Sequence, residues 1–304
     1  TMYFAKRKTN KANFELSSSK YAIQEKVLKR EVISHYYQYQ YVKEKENIYV
    51  RLDSLYANFA YMAKRRFELG ETNYLEKITA SSKQRQLQIA LEQAKQDVSI
   101  AYNELLSQTQ IPNGIKIREV PLDKIPLNVV NLNETAEMSF SKNTIDLANA
   151  KRKQEKQRLL PDISLNYFQG TNSKVNGNLI GYQAGLKIPL LFSGNASRIK
   201  ASKIAEEIAI EESKAFEIRL KMRYAELQSQ YEKYAKALDY YEIEGNDLSE
   251  EILKTADLSF RNGEIDFFQY IQSIENAYEI QLDRLDNLNK YNQTVIQLNY
   301  ISIN

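Results

Sequence analysis

The sequence predicts a mainly α chain with a small β part, built from two copies of one long helical hairpin with a single pair of strands between them. Three observations carry this. Displacing the 304-residue sequence against itself by 193 residues superimposes Ala12 on Ala205, Tyr41 on Tyr234, Leu55 on Leu248, Ala63 on Ala256 and Leu105 on Leu298, in one register throughout. That register centres on two similar turns, with Phe67 on Phe260, Gly70 on Gly263, Glu71 on Glu264 and, just beyond, Ile78 on Ile271. An internal duplication of this size fixes the architecture before any single residue is weighed. The second observation is the placing of glycine and proline, which punctuate regular structure. All five prolines lie between residues 112 and 189, and outside residues 114–194 the only glycines are Gly70, Gly245 and Gly263. The third is a change of apolar period from three and four residues to two between residues 161 and 190.

Taken in order, residues 4–68 and 196–261 are predicted to be near-continuous helices, each roughly 100 Å long at 1.5 Å per residue. Residues 73–108 and 266–300 are the shorter return helices. On the second of these, Phe267, Ile271, Ile274, Tyr278, Leu282, Leu285, Leu288, Tyr291, Val295 and Leu298 recur in steps of three and four, a coiled-coil seam. Gly245 falls inside a helix, where it costs roughly 1 kcal/mol relative to alanine. It predicts a local kink rather than a break, since the apolar period resumes at Leu248 and Ile252. The chain therefore divides into a first helical-hairpin repeat, residues 1–109; a proline-interrupted linker, residues 110–130; and a second repeat, residues 131–304. Within the second repeat, a helix over residues 131–160 has an Asn133-led start and a basic end at Lys151 to Arg158. It is followed by a strand hairpin over residues 161–190 and a helical hairpin over residues 194–300. Thr1 aligns with Gly194, so the first repeat lacks the helix and strand hairpin that the second possesses. The expectation is that about sixty further residues precede Thr1 in the intact protein, and whether that upstream part is lipidated or fused to another domain is left open.

Composition narrows the function. Forty-two basic side chains stand against 39 acidic ones, a net charge of +3, interleaved as in Lys43 to Glu46 and Lys151 to Lys156. Such runs read as solvated helix faces and give no nucleic-acid footprint. No run of 18 apolar residues is present to form a membrane-crossing helix. Cysteine is absent, and the single histidine, His35, sits among Tyr36, Tyr37, Tyr39 and Tyr41, where a packing or surface role is expected. A Ser-His-Asp or metal-histidine centre needs a constellation that one histidine cannot give. Met2, Met62, Met138 and Met222 are scattered, with no close pair for a soft metal. The sequence therefore offers no catalytic residue, no cofactor site and no tight metal site. The 22 tyrosines point chiefly to packing between helices.

The strand hairpin alternates cleanly. Ile163, Leu165 and Tyr167 share one face, with Asp162, Ser164 and Asn166 on the other; after a polar turn over residues 171–178, Ile180, Tyr182, Ala184, Leu186 and Ile188 oppose Gly181, Gln183, Gly185 and Lys187. Strands of about ten residues, apolar on one face and polar or glycine on the other, fit a transmembrane β-barrel with lipid outside and water inside. The alternative is a soluble hairpin packed on a helix. One hairpin cannot make a sheet-based core, and an open sheet edge is prohibitive in lipid, so in the membrane reading the strands close with strands from other copies of the chain. Tyr167 and Tyr182 then suit a membrane-interface girdle.

Residues 158–165, at the passage from helix to strand, and residues 185–194, at the passage from strand to helix, resemble the TolC-like outer membrane efflux proteins. So do the two Phe-x-x-Gly-Glu turns. Residues 52–59 through 70–77 look most like Bacteroidota-type members that accompany, or are fused to, heavy-metal RND pumps of the CusA/CzcA kind. The resemblance spans essentially the whole chain through the order and spacing of loose motifs. It implies a homotrimer in the outer membrane of a Gram-negative bacterium, each subunit giving four strands to one shared β-barrel and long helices to a periplasmic α-barrel. It implies a passive exit duct for metal ions or small toxic compounds, served by a periplasmic membrane-fusion adaptor and an inner-membrane pump. A soluble coiled-coil scaffold or adaptor without a pore is the competing reading.

The resemblance also assigns sites. The periplasmic tip and adaptor contact falls on Phe67, Gly70, Glu71, Thr72 and Asn73 in the first repeat and on Phe260, Gly263, Glu264, Ile265 and Asp266 in the second. The aperture falls on Glu76, Gln269 and Gln272; the two glutamines stand where the family's best-known member has aspartates, so that member's acidic lock is not carried over. Glu68, Glu71, Glu264 and Asp266 crowd acid around both turns. They either favour cations in a narrow mouth or cap the return helices. The lipid-facing set is Ile163, Leu165, Tyr167, Ile180, Tyr182, Leu186 and Ile188.

Overall fold

The computed structural model of the chain describes residues 2–109, 111, 114–118, 120–172, 175–188 and 193–302. Pro112 and Pro189, residues 173–174 of the strand turn and residues 190–192 of the strand-to-helix passage lie outside the described residues. The first repeat is α1, Met2–Glu68, and α2, Tyr74–Thr109. A single 3-10 turn, Leu132–Glu134, precedes α3, Ala136–Gln157. The start of α3 corrects the expected one: the Thr135 hydroxyl, not Asn133, accepts from the Met138 N–H at 3.3 Å, while the Asn131 side chain caps the 3-10 turn. Strands β1, Asp162–Asn172, and β2, Val175–Lys187, form a two-stranded antiparallel sheet. The second long helix runs as α4, Ser193–Tyr240, then a π-helical turn, Tyr241–Gly245, then α5, Asn246–Arg261; the return helix is α6, Phe267–Asn299. The feature at Gly245 is thus one wide turn inside an otherwise continuous helical path. A Cβ on this buried glycine would stand 2.9 Å from the Tyr241 ring.

By compactness the chain divides across its repeats rather than between them. One unit comprises residues 1–25, 131–222 and 302–304; the other comprises residues 26–130 and 223–301. In the first unit α3 is fixed to its helical neighbours by polar side chains. Asn143 donates to the Glu15 carbonyl at 3.1 Å, Ser141 bonds Ser213 at 2.7 Å, and Arg152 pairs with the nearly buried Glu206 at 2.8 Å. Leu147 and Ala209 are buried there.

The second unit holds the main core. Ile48, Leu52, Tyr56, Phe59, Ala60 and Ala63 of α1 recur at helical spacing and meet the α6 seam of Phe267, Tyr270, Ile271, Ile274, Tyr278, Leu285, Leu288, Tyr291 and Val295. The matched alanines Ala63 and Ala256 are both buried, at 2% and 5% exposure, so both repeats keep a small residue where helices approach one another beneath the turns. A polar ladder runs beside this seam: Ser34 with Gln293, Gln38 with Asn289 at 3.0 Å, and Tyr41 donating to Asp286 at 2.5 Å. The linker is held by two asparagines of α6. Asn292, fully buried, donates to the Asp123 carbonyl at 2.8 Å and accepts from the Ile125 N–H at 2.9 Å. Asn299, seven residues on, does the same with the Pro126 carbonyl and the Asn128 N–H at 3.0 and 2.8 Å. Each side-chain amide thereby stands in for a neighbouring strand's peptide, satisfying linker backbone that has no sheet partner among the described residues.

Candidate functional site

Two places carry the sequence's site residues: the paired helical turns and the strand hairpin. At the first turn Gly70 adopts φ 75°, its N–H donates to the Phe67 carbonyl at 3.0 Å, and the Glu71 N–H reaches the Arg66 carbonyl at 2.8 Å. At the second, Gly263 adopts φ 74°, with the matching bonds to Phe260 and Ser259 at 3.1 and 2.9 Å. This left-handed helix stop satisfies the last carbonyls of α1 and α5 and requires a residue tolerant of positive φ. No atom lies within 4 Å of where either glycine's Cβ would stand, so backbone conformation alone selects glycine at both sites.

The return helices are capped by different side chains. Asn73 accepts from the Glu76 N–H at 2.9 Å, whereas Asp266 accepts from the Gln269 N–H at 2.8 Å and Gln269 answers by accepting from the Asp266 N–H at 2.9 Å. That reciprocal pair is a capping box. Of the four acids expected to cap or to line a mouth, Asp266 alone is a helix cap. Glu68 lies 3.6 Å from Arg65, Glu71 lies 4.0 Å from Arg66, and Glu264 accepts from the Ser259 hydroxyl at 2.8 Å. Glu76 is 8% exposed; Arg66 meets one carboxylate oxygen at 3.2 Å and the Thr72 hydroxyl donates to the other. Its negative charge is therefore met within the chain. Gln269 and Gln272 are exposed, the latter donating to Asn276 at 2.9 Å.

The aromatic residues of the turns differ too. Phe67 is half-buried, with its ring 5.7 Å from that of Tyr74 and 4.7 Å from the Lys77 ammonium. Phe260 belongs to a larger cluster: it stacks on Tyr270 at 4.7 Å, and Phe59 of α1 stacks on Phe267 at 4.6 Å and on Tyr270 at 5.2 Å. Ile265 packs on the same cluster. Burial, and then the nearby Glu275 carboxylate, pushes the Tyr56 phenol well above its ordinary pKa, and burial with the Asp286 hydrogen bond does the same for Tyr41. These phenols remain protonated, and Tyr41 donates to Asp286. His35 lies 3.6 Å from Glu104 of α2, a single partly exposed contact.

In the hairpin, Ile163 faces Leu186, Leu165 faces Ala184, Tyr167 faces Tyr182 and Gln169 faces Ile180 across the strands, so these eight side chains share one face. Ile163, Leu165, Tyr182 and Leu186 are 66%, 80%, 81% and 63% exposed; among the described residues no helix covers them. Ile188 is exposed as well, one residue beyond β2. The Tyr167 and Tyr182 rings lie 5.4 Å apart near the outer end of the apolar band, beyond which Ile180 alone continues it, opposite Gln169. The other face pairs Asp162 with Lys187, Ser164 with Gly185 and Asn166 with Gln183. It then departs from the alternation: Phe168 stands opposite Gly181 and Leu179 opposite Gly170, both apolar and both on the polar side. Alternation alone could have revealed them, because Tyr167–Phe168 and Leu179–Ile180 are adjacent apolar pairs that cannot both face lipid.

No protein-family model matches the chain, and no curated protein is similar to it in sequence. Solved structures do match. The outer-membrane channel OprN superimposes with a TM-score of 0.82 at 13% identity, over 98% of this chain and 71% of its own. The open state of the Neisseria gonorrhoeae MtrE outer membrane channel gives 0.81 at 15% identity, over 97% and 70%. The Campylobacter jejuni CmeC outer membrane channel gives 0.80 at 13% identity, over 98% and 67%. Each of these contains a further stretch that this chain does not span. The duplicated helical hairpins, the intervening linker and the single strand pair of this chain together make the fold of the TolC-like outer membrane efflux channels.

Proposed function

We propose that this chain is the greater part of a passive outer-membrane exit duct of a Gram-negative bacterium, working with an inner-membrane RND pump and a periplasmic membrane-fusion adaptor. The observation that carries this is the hairpin: an apolar face left exposed, a polar face opposite, and outer strand edges without a partner among the described residues. In lipid such edges must be closed, and strands from other copies of the chain close them into one barrel. The likeness in fold to OprN, MtrE and CmeC supports the same reading. Ile163, Leu165, Tyr167, Ile180, Tyr182, Leu186 and Ile188 then face lipid. The turns at Gly70 and Gly263 form the periplasmic mouth beside the adaptor contact, with metal ions or small toxic compounds as cargo.

Arginine scanning of the hairpin in the full-length protein tests this. Leu165→Arg should cost roughly 2 to 4 kcal/mol of barrel stability and block assembly in the outer membrane, whereas Gln183→Arg should be mild. Equal tolerance on the two faces, or a stable monomer by mass in detergent, would instead identify a soluble scaffold.

A further inference from the structure

We propose that Phe168, with Leu179 beside it, is a cargo-contacting station on the water-lined face of the strand hairpin, suited to aromatic organic cations. This rests on the duct reading and adds a cargo class to it.

The polar face of the hairpin is otherwise uniform. From its helix-linked end the cross-strand pairs are Asp162 with Lys187, Ser164 with Gly185 and Asn166 with Gln183, all charged, polar or without a side chain. Water solvates such a wall, and it offers no grip to an apolar solute. At the next pair this changes. Three carbons of the Phe168 ring, Cδ2, Cε2 and Cζ, crowd the place that a Gly181 Cβ would occupy. The ring therefore lies across the neighbouring strand, and glycine is required beneath it. That edge of the ring overhangs the Gly181 backbone, yet the residue remains 57% exposed, so much of the ring stays open to solvent. Leu179, the diagonal neighbour two residues before Gly181 on β2, is 49% exposed and extends the patch.

An exposed aromatic ring in an otherwise polar wall offers its π-system to whatever passes. A cation or flat aromatic resting against such a ring is held by its quadrupole and by dispersion, more firmly as it is desolvated. A hydrated inorganic ion gains little, because its water shell keeps it from the ring. In a barrel shared by three copies the station occurs three times around the lumen. It stands one residue beyond the Tyr167–Tyr182 pair, at the outer edge of the apolar band on the opposite face.

Single-channel recording of the full-length protein in planar bilayers, with ethidium added to potassium chloride, tests the proposal. Wild type should show transient ethidium blockades; in Phe168→Gln their mean duration should fall about fivefold while potassium conductance stays nearly constant, and Phe168→Trp should hold ethidium at least as long as wild type. Should Phe168→Gln fail to assemble, Phe168→Leu keeps the bulk over Gly181 without the ring and should shorten the blockades in the same way. An intact channel whose blockades are equally long in wild type and in the ring-less variant overturns the station and leaves the duct reading standing. A wild type that conducts no current overturns the duct reading and the station with it.

Discussion

The turn at Gly70 and the turn at Gly263 share a backbone and differ in chemistry. Both stop a long helix with a left-handed glycine and restart the chain three residues later under an Asn or Asp cap. Around the first, matched positions 66, 71 and 76 carry Arg, Glu and Glu in one ion-paired group; around the second, the counterparts are Ser259, Glu264 and Gln269, held by hydrogen bonds without a basic partner at these positions. Beneath the first lie a half-buried phenylalanine and a lysine; beneath the second lies a stacked aromatic cluster. The duplication has thus kept the geometry while dividing the forces, charge in one copy and apolar burial in the other. The return helices diverge in the same direction. Ile78 of α2 is 42% exposed where its counterpart Ile271 of α6 is 6% exposed, so within one chain α6 is the core helix and α2 retains an uncovered face.

This division predicts that the second turn suffers most from loss of an apolar side chain. Phe59→Ala, which removes a 3% exposed ring stacked on Phe267 and Tyr270, should cost about 3 to 5 kcal/mol, whereas Phe67→Ala should cost only about 1. Urea unfolding of the two variants in detergent measures both; comparable losses would mean that the two turns are held alike. The linker gives the next largest effect, again confined to the second repeat. Asn292→Leu strands the Asp123 carbonyl and the Ile125 N–H and should cost about 2 to 3 kcal/mol, with faster hydrogen exchange across residues 120–128. The first-repeat counterpart, Ser99, is exposed, and Ser99→Ala should be silent in both measurements.

Much of this was legible in the sequence, and the reasons are local. The 193-residue register, the two turn glycines and the period-two segment each reflect a backbone requirement that a single residue type or spacing reveals. The linker clasp was not legible, because Asn292 and Asn299 interrupt an apolar seam without altering its period, and their partners lie some 170 residues away in the chain. The ion pairing of Glu76 was also hidden: an acid six residues past a turn gives no sign of burial until Arg66, ten residues earlier, is brought to it. The π-helical turn at Gly245 read as a kink because glycine marks an irregularity without specifying its kind. Phe168 was passed over as a break in alternation, and its ring lying over Gly181 is a cross-strand fact that only the register supplies.

Smaller effects separate charge from cap. Glu76→Gln should cost about 1 kcal/mol, since Arg66 and Thr72 lose their ionised partner in a nearly buried setting, while Gln269→Glu should change stability by only a few tenths, a carboxylate serving equally well as the third residue of a capping box. High salt should erase much of the first difference and none of the second; a salt-insensitive Glu76 variant would show that hydrogen bonding, not charge, holds the first turn. Gly70→Ala and Gly263→Ala should each cost about 1 kcal/mol and match one another, because the penalty is conformational and neither site is crowded.

The smallest expected effect is on ion preference, and it sharpens the comparison most. In the duct reading both turns face one mouth, yet their acids are not equivalent. Glu76 has its charge met by Arg66 and is almost wholly covered, so Glu76→Gln should leave cation-over-anion selectivity unchanged in single-channel recordings. Glu71 and Glu264 are exposed, and Glu264 is held by a hydroxyl rather than a guanidinium, so its charge is the less compensated of the two. Replacing Glu264 with Gln should therefore lower cation preference slightly, and Glu71→Gln less. A fall in selectivity on removing Glu76 that exceeds the fall on removing Glu264 would mean that the Arg66 pair opens when the mouth does, and that the charged turn, not the apolar one, is the part that moves.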